Sequence, residues 1–206
     1  MRTLALVPTL VIAFLALSGC ALTPPAPQPT STPSPTGNPD ASAAEAYCVE
    51  KGGEVQVRRP TFGTNDDESQ WIPMGEPVGM CRFQTLGDAD NSRIYVDMAT
   101  LHSQSPTLAA LAYLAKRDLP TDAPGNPATA LCAELGGSSS YGGGPAGGGM
   151  TNLNDPDDVV VAACVFPDLS FIDEWGIAYY GGDVVRGIDL STVFRFDQSK
   201  LPRVFG

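Results

Sequence analysis

Cys48, Cys81, Cys132 and Cys164 constrain this chain more than any other feature. Cys48 and Cys81 lie 33 positions apart and Cys132 and Cys164 lie 32 apart, while the two first members are offset by 84 and the two second members by 83. Matched spacing with a matched offset is the mark of a duplication. The flanks agree. Ala46-Tyr47-Cys48-Val49-Glu50-Lys51-Gly52-Gly53 matches Ala130-Leu131-Cys132-Ala133-Glu134-Leu135-Gly136-Gly137, and Cys81-Arg82-Phe83 matches Cys164-Val165-Phe166. Further on, Val96-Asp97-Met98-Ala99-Thr100-Leu101 lines up with Ile188-Asp189-Leu190-Ser191-Thr192-Val193, an alignment that gives the second copy nine additional residues, Asp173-Glu174-Trp175 among them. An even number of cysteines in an exported chain is expected to pair. The duplication favours Cys48 with Cys81 and Cys132 with Cys164, and a cross-repeat pair is the rival arrangement. Each bridge would contribute on the order of 3–4 kcal/mol, a large term beside the stability of a unit this small.

The local signals give both copies the same beginning. Asn126-Pro127 supplies an N-cap and a proline at the first helical position, Ala128 to Leu135 favours helix, and Gly136-Gly137 ends it. In the first copy Ser42 and Glu45 have the form of a capping box, and the helix runs to Lys51 before Gly52-Gly53. Glu54-Val55-Gln56-Val57-Arg58 alternates polar and apolar as a half-buried strand does; Met80 to Phe83, Arg93 to Val96 and Val159 to Phe166 read as further strands. Ser105-Pro106 opens a helix through Leu108, Leu111, Ala112 and Leu114 to Lys116-Arg117, expected to join or pack the copies. The fold class is α+β: two small disulfide-tied repeats, each a helix followed by a short antiparallel sheet. Few large apolar residues stand in either copy, 8 Phe, 6 Tyr and 2 Trp in all, so the repeats are expected to pack into one unit.

Residues 1–19 read as a signal peptide: Arg2 precedes the apolar run Leu4 to Leu17, which is shorter than the roughly 20 residues of a membrane span. The run closes on Leu17-Ser18-Gly19-Cys20, which resembles the bacterial lipobox and implies a thioether-linked diacylglycerol on Cys20. Two or three acyl chains, at roughly 0.8 kcal/mol per buried CH₂, hold a protein stably at a membrane. Residues 20–40 are rich in Pro, Ser and Thr and form a disordered linker, reaching at most about 60 Å in polyproline II form. The first repeat then spans 41–119 and the second 120–206. The location is extracytoplasmic, at the cell surface or in the periplasm.

Composition removes several function classes. Among 206 residues there are 12 basic and 23 acidic side chains, a formal net charge of −11, which argues against nucleic acid as partner. With His102 the sole histidine, the common zinc sets and the Ser/His or Cys/His catalytic pairs are absent, so no cofactor, metal or catalytic residue is assigned. His102 itself reads as a surface or half-buried structural residue. The Gly142 to Gly149 run lacks the Gly-Lys-Ser/Thr ending of a phosphate loop and reads as a flexible hairpin loop. Acidic clusters at Asp66 to Glu68, at Asp88 to Asn91 and at Asn154 to Asp158 lack the twelve-residue calcium-loop pattern and read as solvated loops.

Asn126-Pro127-Ala128, Cys132 to Gly137, Cys164-Val165-Phe166-Pro167-Asp168 and Asp173-Glu174-Trp175 together resemble the small bacterial domain of unknown function 333, a family that carries a haemolysin label. The likeness covers about 50 residues of the second copy; the first has Gln84-Thr85-Leu86 in place of the Pro-Asp step and no Glu-Trp pair. It implies an exported, disulfide-tied α+β domain, often on lipoproteins, and no activity. No spanning amphipathic hairpin or long amphipathic helix supports pore formation.

These features favour a non-enzymatic interaction module, held to the membrane by lipid on Cys20, that binds an envelope protein or glycan. Asp173, Glu174, Trp175 and Tyr141 are its candidate interaction surface. The alternatives are a protease-inhibitor-like module and a carboxylate-based hydrolase acting on surface glycan through the acids around 154–158 and 173–174.

Overall fold

The computed structural model describes residues 39–85, 92–140 and 146–201. Its first half runs α1 (Pro39–Glu50), β1 (Glu54–Phe62), β2 (Ile72–Pro73), β3 (Val78–Gln84), β4 (Arg93–Asp97), α2 (Met98–His102) and α3 (Leu108–Leu114). The second runs α4 (Pro127–Glu134), β5 (Ser138–Ser139), β6 (Gly148–Asn152), β7 (Ala163–Val165), β8 (Phe171–Asp173) and α5 (Glu174–Gly181). Disulfides Cys48–Cys81 and Cys132–Cys164 tie α1 to β3 and α4 to β7.

The paired glycines after each helix have separate tasks. Gly52 and Gly136 sit at φ +84° and +82°, the left-handed conformation that ends a helix and suits glycine. The Gly53 and Gly137 amides then donate to the Cys48 and Cys132 carbonyls, both at 2.9 Å. A Cβ on Gly53 would stand 2.8 Å from Cys48 Sγ and nearer still to Cys81 Sγ; one on Gly137 would stand 2.5 Å from Cys164 Sγ. The second glycine therefore lets the backbone pass directly over the disulfide.

The Asn126 side chain accepts from the Ala128 amide and caps α4 as expected. α1 starts at Pro39, ahead of Ser42, so Ser42 and Glu45 lie on its exposed interior instead of forming a capping box. A proline at the first position and an alanine-rich run carry the helix back by three residues.

All strand pairings are antiparallel, in the order β2-β1-β3-β4-β8-β7-β5, with β6 on the other edge of β1. Met150 of β6 also exchanges both backbone hydrogen bonds with Val161, just before β7. That contact curls the sheet into a closed circuit. The Gly-rich segment supplies the closing strand: Gly148 and Gly149 pair with Phe62 and Thr61, and a Cβ on Gly149 would stand 2.6 Å from Val160. This part of the expected flexible loop is strand, while residues 141–145 lie outside the described residues. Conversely, the strand expected over Val159 to Phe166 is regular only at Ala163–Val165, beyond the Val161 bridge.

The outer face of the curled sheet packs under the helices in one core that holds both disulfides together with Phe83, Val96, Leu101, Tyr113, Leu131, Ile172 and Leu190. The two disulfide-tied halves thus share one core. The inner face holds Met80, Tyr95, Met150, Val161, Ala163 and Phe171. β1 turns its polar face to this side, where Gln56 and Arg58 are buried; on its other face Val55 packs against the helix-side core and Val57 is exposed. Arg58 is fully buried and donates through Nε to Gln56 (2.9 Å), through Nη1 to the Met150 and Val159 carbonyls (2.9 and 2.8 Å), and through Nη2 to Asp158. Its guanidinium lies 4.7 Å from the Tyr95 ring centroid. Closing the circuit brings the carbonyls of Met150 on β6 and of Val159 within reach of this face of β1, where an arginine can donate to both and a valine cannot.

α3 begins at its Thr107 cap, after Ser105-Pro106, and ends before Lys116-Arg117. It docks on the second half, with the Leu108 amide on Asp168 (2.8 Å) and the Ala109 amide on Ser170 (3.0 Å), and Tyr113 stacks on Tyr180 at 3.9 Å. His102 is half-buried, with its ring edge-on to Tyr47 and beside Arg195.

Candidate functional site

The strand-to-helix steps at Asp97 and Asp173 build the site. β4 and β8 share one ladder pair, Val96 with Ile172, after which α2 and α5 turn away. Asp97 caps α2 by accepting from the Thr100 amide and also accepts from the Phe171 amide of β8 (2.8 Å). Asp173 caps α5 by accepting from the Gly176 amide (2.6 Å) and also accepts from the Tyr95 amide of β4 (2.9 Å). In space Val96-Asp97 therefore faces Ile172-Asp173, while Ile188-Asp189 precedes a 3-10 turn, Leu190–Thr192, where Asp189 caps the Ser191 amide.

Beyond Asp173 the edge of β4 and residues 159–162 border a cleft of about 170 Å³, lined also by Arg93, Tyr95, Asp173, Trp175 and Arg186. Burial pushes the Asp173 carboxyl up to about 6, against the Tyr95 and Gly176 amides and the Arg186 charge that favour its ionised form. Burial likewise raises the Asp97 carboxyl and the Tyr95 hydroxyl, the latter opposed by Arg58 and Arg93. The Tyr95 hydroxyl is buried with no hydrogen-bond partner. Among the described residues no carboxylate stands at ion-pair distance from Arg93 or Arg186; Arg186 lies over the Tyr179 ring at 4.8 Å.

The residues expected to form an interaction surface divide. Asp173 and Glu174 are buried, at 6% and 1% exposure; Asp173 still borders the cleft, whereas Glu174 does not. Glu174 points to α4, where it accepts from the Thr129 hydroxyl at 2.8 Å. Trp175 is half-buried, packs on the core and lines the cleft. Tyr141, Cys20 and the acids at 88–91 lie outside the described residues. In the loop at 154–158, Asp158 is the counter-ion of Arg58 and not a solvated acid. Burial opposes its ionised form, but the Asn152 amide and the Arg58 charge outweigh that and hold it below the usual carboxylate range. Among the described residues no group of three or more His, Cys, Asp or Glu is placed to hold a metal ion. Arg93, Tyr95 and Arg186 carried no signal in the sequence, since an arginine flanking a strand or ending a glycine-rich turn is ordinary.

No protein-family model, curated protein or solved structure matches the chain. The two disulfides belong to an oxidising, extracytoplasmic setting, and among the described residues no helix is long and apolar enough to cross a membrane.

Proposed function

We propose that this chain is a lipid-anchored, extracytoplasmic, non-enzymatic binding module of the cell envelope, tethered through Cys20 and related to the domain of unknown function 333. The observation that carries the reading is the engagement of its acids. Asp173 and Asp97 hold backbone amides, Asp158 holds Arg58, and Glu174 accepts from Thr129, while Arg93 and Arg186 beside the cleft have no carboxylate partner among the described residues. A hydrolase working through two carboxylates needs both directed at one substrate bond, whereas Asp173 faces β4 and Glu174 faces α4.

One observation favours the carboxylate enzyme as a second reading: Asp173 lines the cleft with its carboxyl pushed up to about 6, in the range of a general acid. Cross-linking on intact cells that make the lipidated protein, followed by identification of the captured species, tests the binding reading. A dominant envelope protein or glycan is the expected result, and Cys20→Ser should release the protein from the membrane fraction. Turnover of a surface glycan that Asp173→Asn abolishes in a folded variant would instead establish the enzyme.

A further inference from the structure

Cations are scarce in this chain, 12 against 23 acids, so a cation near the surface finds a carboxylate easily. Arg93 and Arg186 nevertheless line one cleft with no acid at ion-pair distance among the described residues. Asp173, the acid in that lining, turns both oxygens to the Tyr95 and Gly176 amides. Two guanidinium groups on one cleft without a carboxylate partner among the described residues are the donor set of an oxyanion site.

The cleft's size limits what such an anion is attached to. Its roughly 170 Å³ is well below the roughly 300–1,000 Å³ of pockets that enclose drug-sized ligands, so it takes one small ring at most. Trp175 gives that ring a flat wall, and Val159 to Ala162 form the apolar side opposite β4.

We propose that the cleft is an anion subsite that takes the phosphate or carboxylate group of a monosaccharide-sized ligand, with Arg93 and Arg186 as counter-ions. The inference deepens the binding reading and rests on it, since it names the ligand chemistry of the module.

Calorimetric titration of the full chain with glucose 1-phosphate, glucuronate, inorganic phosphate and neutral glucose tests it. Glucose 1-phosphate or glucuronate should bind more tightly than glucose, and the tighter of the two names the anion; salt should weaken the binding. Arg93→Gln and Arg186→Gln should each weaken it about tenfold or more, as loss of a charge-assisted contact does. No saturable binding of any probe, equal binding of glucose, or binding indifferent to both substitutions would overturn the subsite. Capture of a cellular partner that survives the Arg93→Gln/Arg186→Gln double substitution would also overturn it while leaving the binding module intact. Probe binding at the cleft with no cellular capture would remove only the broader reading.

Discussion

Asp97 and Asp173 each cap the helix that follows their own strand and reach across to the other strand, Asp97 to the Phe171 amide and Asp173 to the Tyr95 amide. The exchange flanks the one ladder pair between β4 and β8, Val96 with Ile172. Side-chain oxygens thus stand in for the backbone carbonyls that the sheet loses as α2 and α5 turn away. The joint between the two halves depends on these two carboxylates.

Asp97→Ala and Asp173→Ala should therefore each cost about 2–4 kcal/mol, combining a lost helix cap with a buried amide left unpaired. Asp189→Ala, which removes only the cap of a short turn, should cost about 1 kcal/mol. Urea denaturation of the three variants checks the order. Equal losses at all three positions would show that the cross-strand bonds contribute nothing.

The same two acids set an unusual pH response. Both carboxyls are raised above the ordinary 3.8 by burial, Asp173 to about 6, so between those values the folded state binds more protons than the unfolded state. Stability from these groups is present in full below the unfolded value and is lost as pH rises through about 6. Asp158 and Asp168 are held below 3.8, so they contribute above that pH and lose their contribution under stronger acid. The melting temperature should peak near pH 4 and fall toward pH 7, with Asp173 accounting for about 2–3 kcal/mol of the change. A melting temperature that rises steadily from pH 5 to 7 would contradict this account.

Arg58 and Asp158 should respond unequally to truncation and pairing. Asp158→Ala leaves a buried guanidinium without its counter-ion, at a cost of about 3–5 kcal/mol, whereas replacing both residues with apolar ones removes that penalty. The double variant Arg58→Met/Asp158→Ala should thus be more stable than Asp158→Ala alone. Chemical denaturation of the two variants makes the comparison, and a double variant less stable than Asp158→Ala would mean that the Arg58 bonds to the Met150 and Val159 carbonyls matter more than its charge.

The two glycines of each pair should fail in different ways. Gly52→Ala and Gly136→Ala place a side chain at positive φ and should cost about 1 kcal/mol with both disulfides formed. Gly53→Ala and Gly137→Ala place a Cβ against sulfur and should hinder closure of the adjacent bridge. Thiol titration after oxidative refolding separates the cases: free cysteine is expected for the second pair and not for the first.

Much of the framework was legible in the chain because it is local chemistry repeated. The Cys and Gly-Gly spacing pointed to both disulfides, and Asn126-Pro127 marked the start of α4. The phase of β1 was not legible, since Glu54 to Arg58 alternates equally well with either face inward and only the carbonyls of residues 150 and 159 select Arg58. The cross-strand role of Asp173 was not legible for a related reason: Asp173 and Asp189 both cap turns, and only Asp173 also bonds to β4.

The candidate site was legible in two residues. Asp173 and Trp175 stood out in the sequence, but Arg93 and Tyr95 of β4 meet Arg186 only in the folded chain. By itself the sequence favoured the disulfide ties and determined the glycine-marked helix ends, the α4 cap and the α+β class, because spacing, capping and left-handed glycines act over a few residues. Tertiary structure alone decided the closed sheet, the buried Arg58 and the paired arginines of the cleft. Those depend on which distant strands meet, and a hydrogen bond or a charge is felt through space, without regard to the length of chain between its partners.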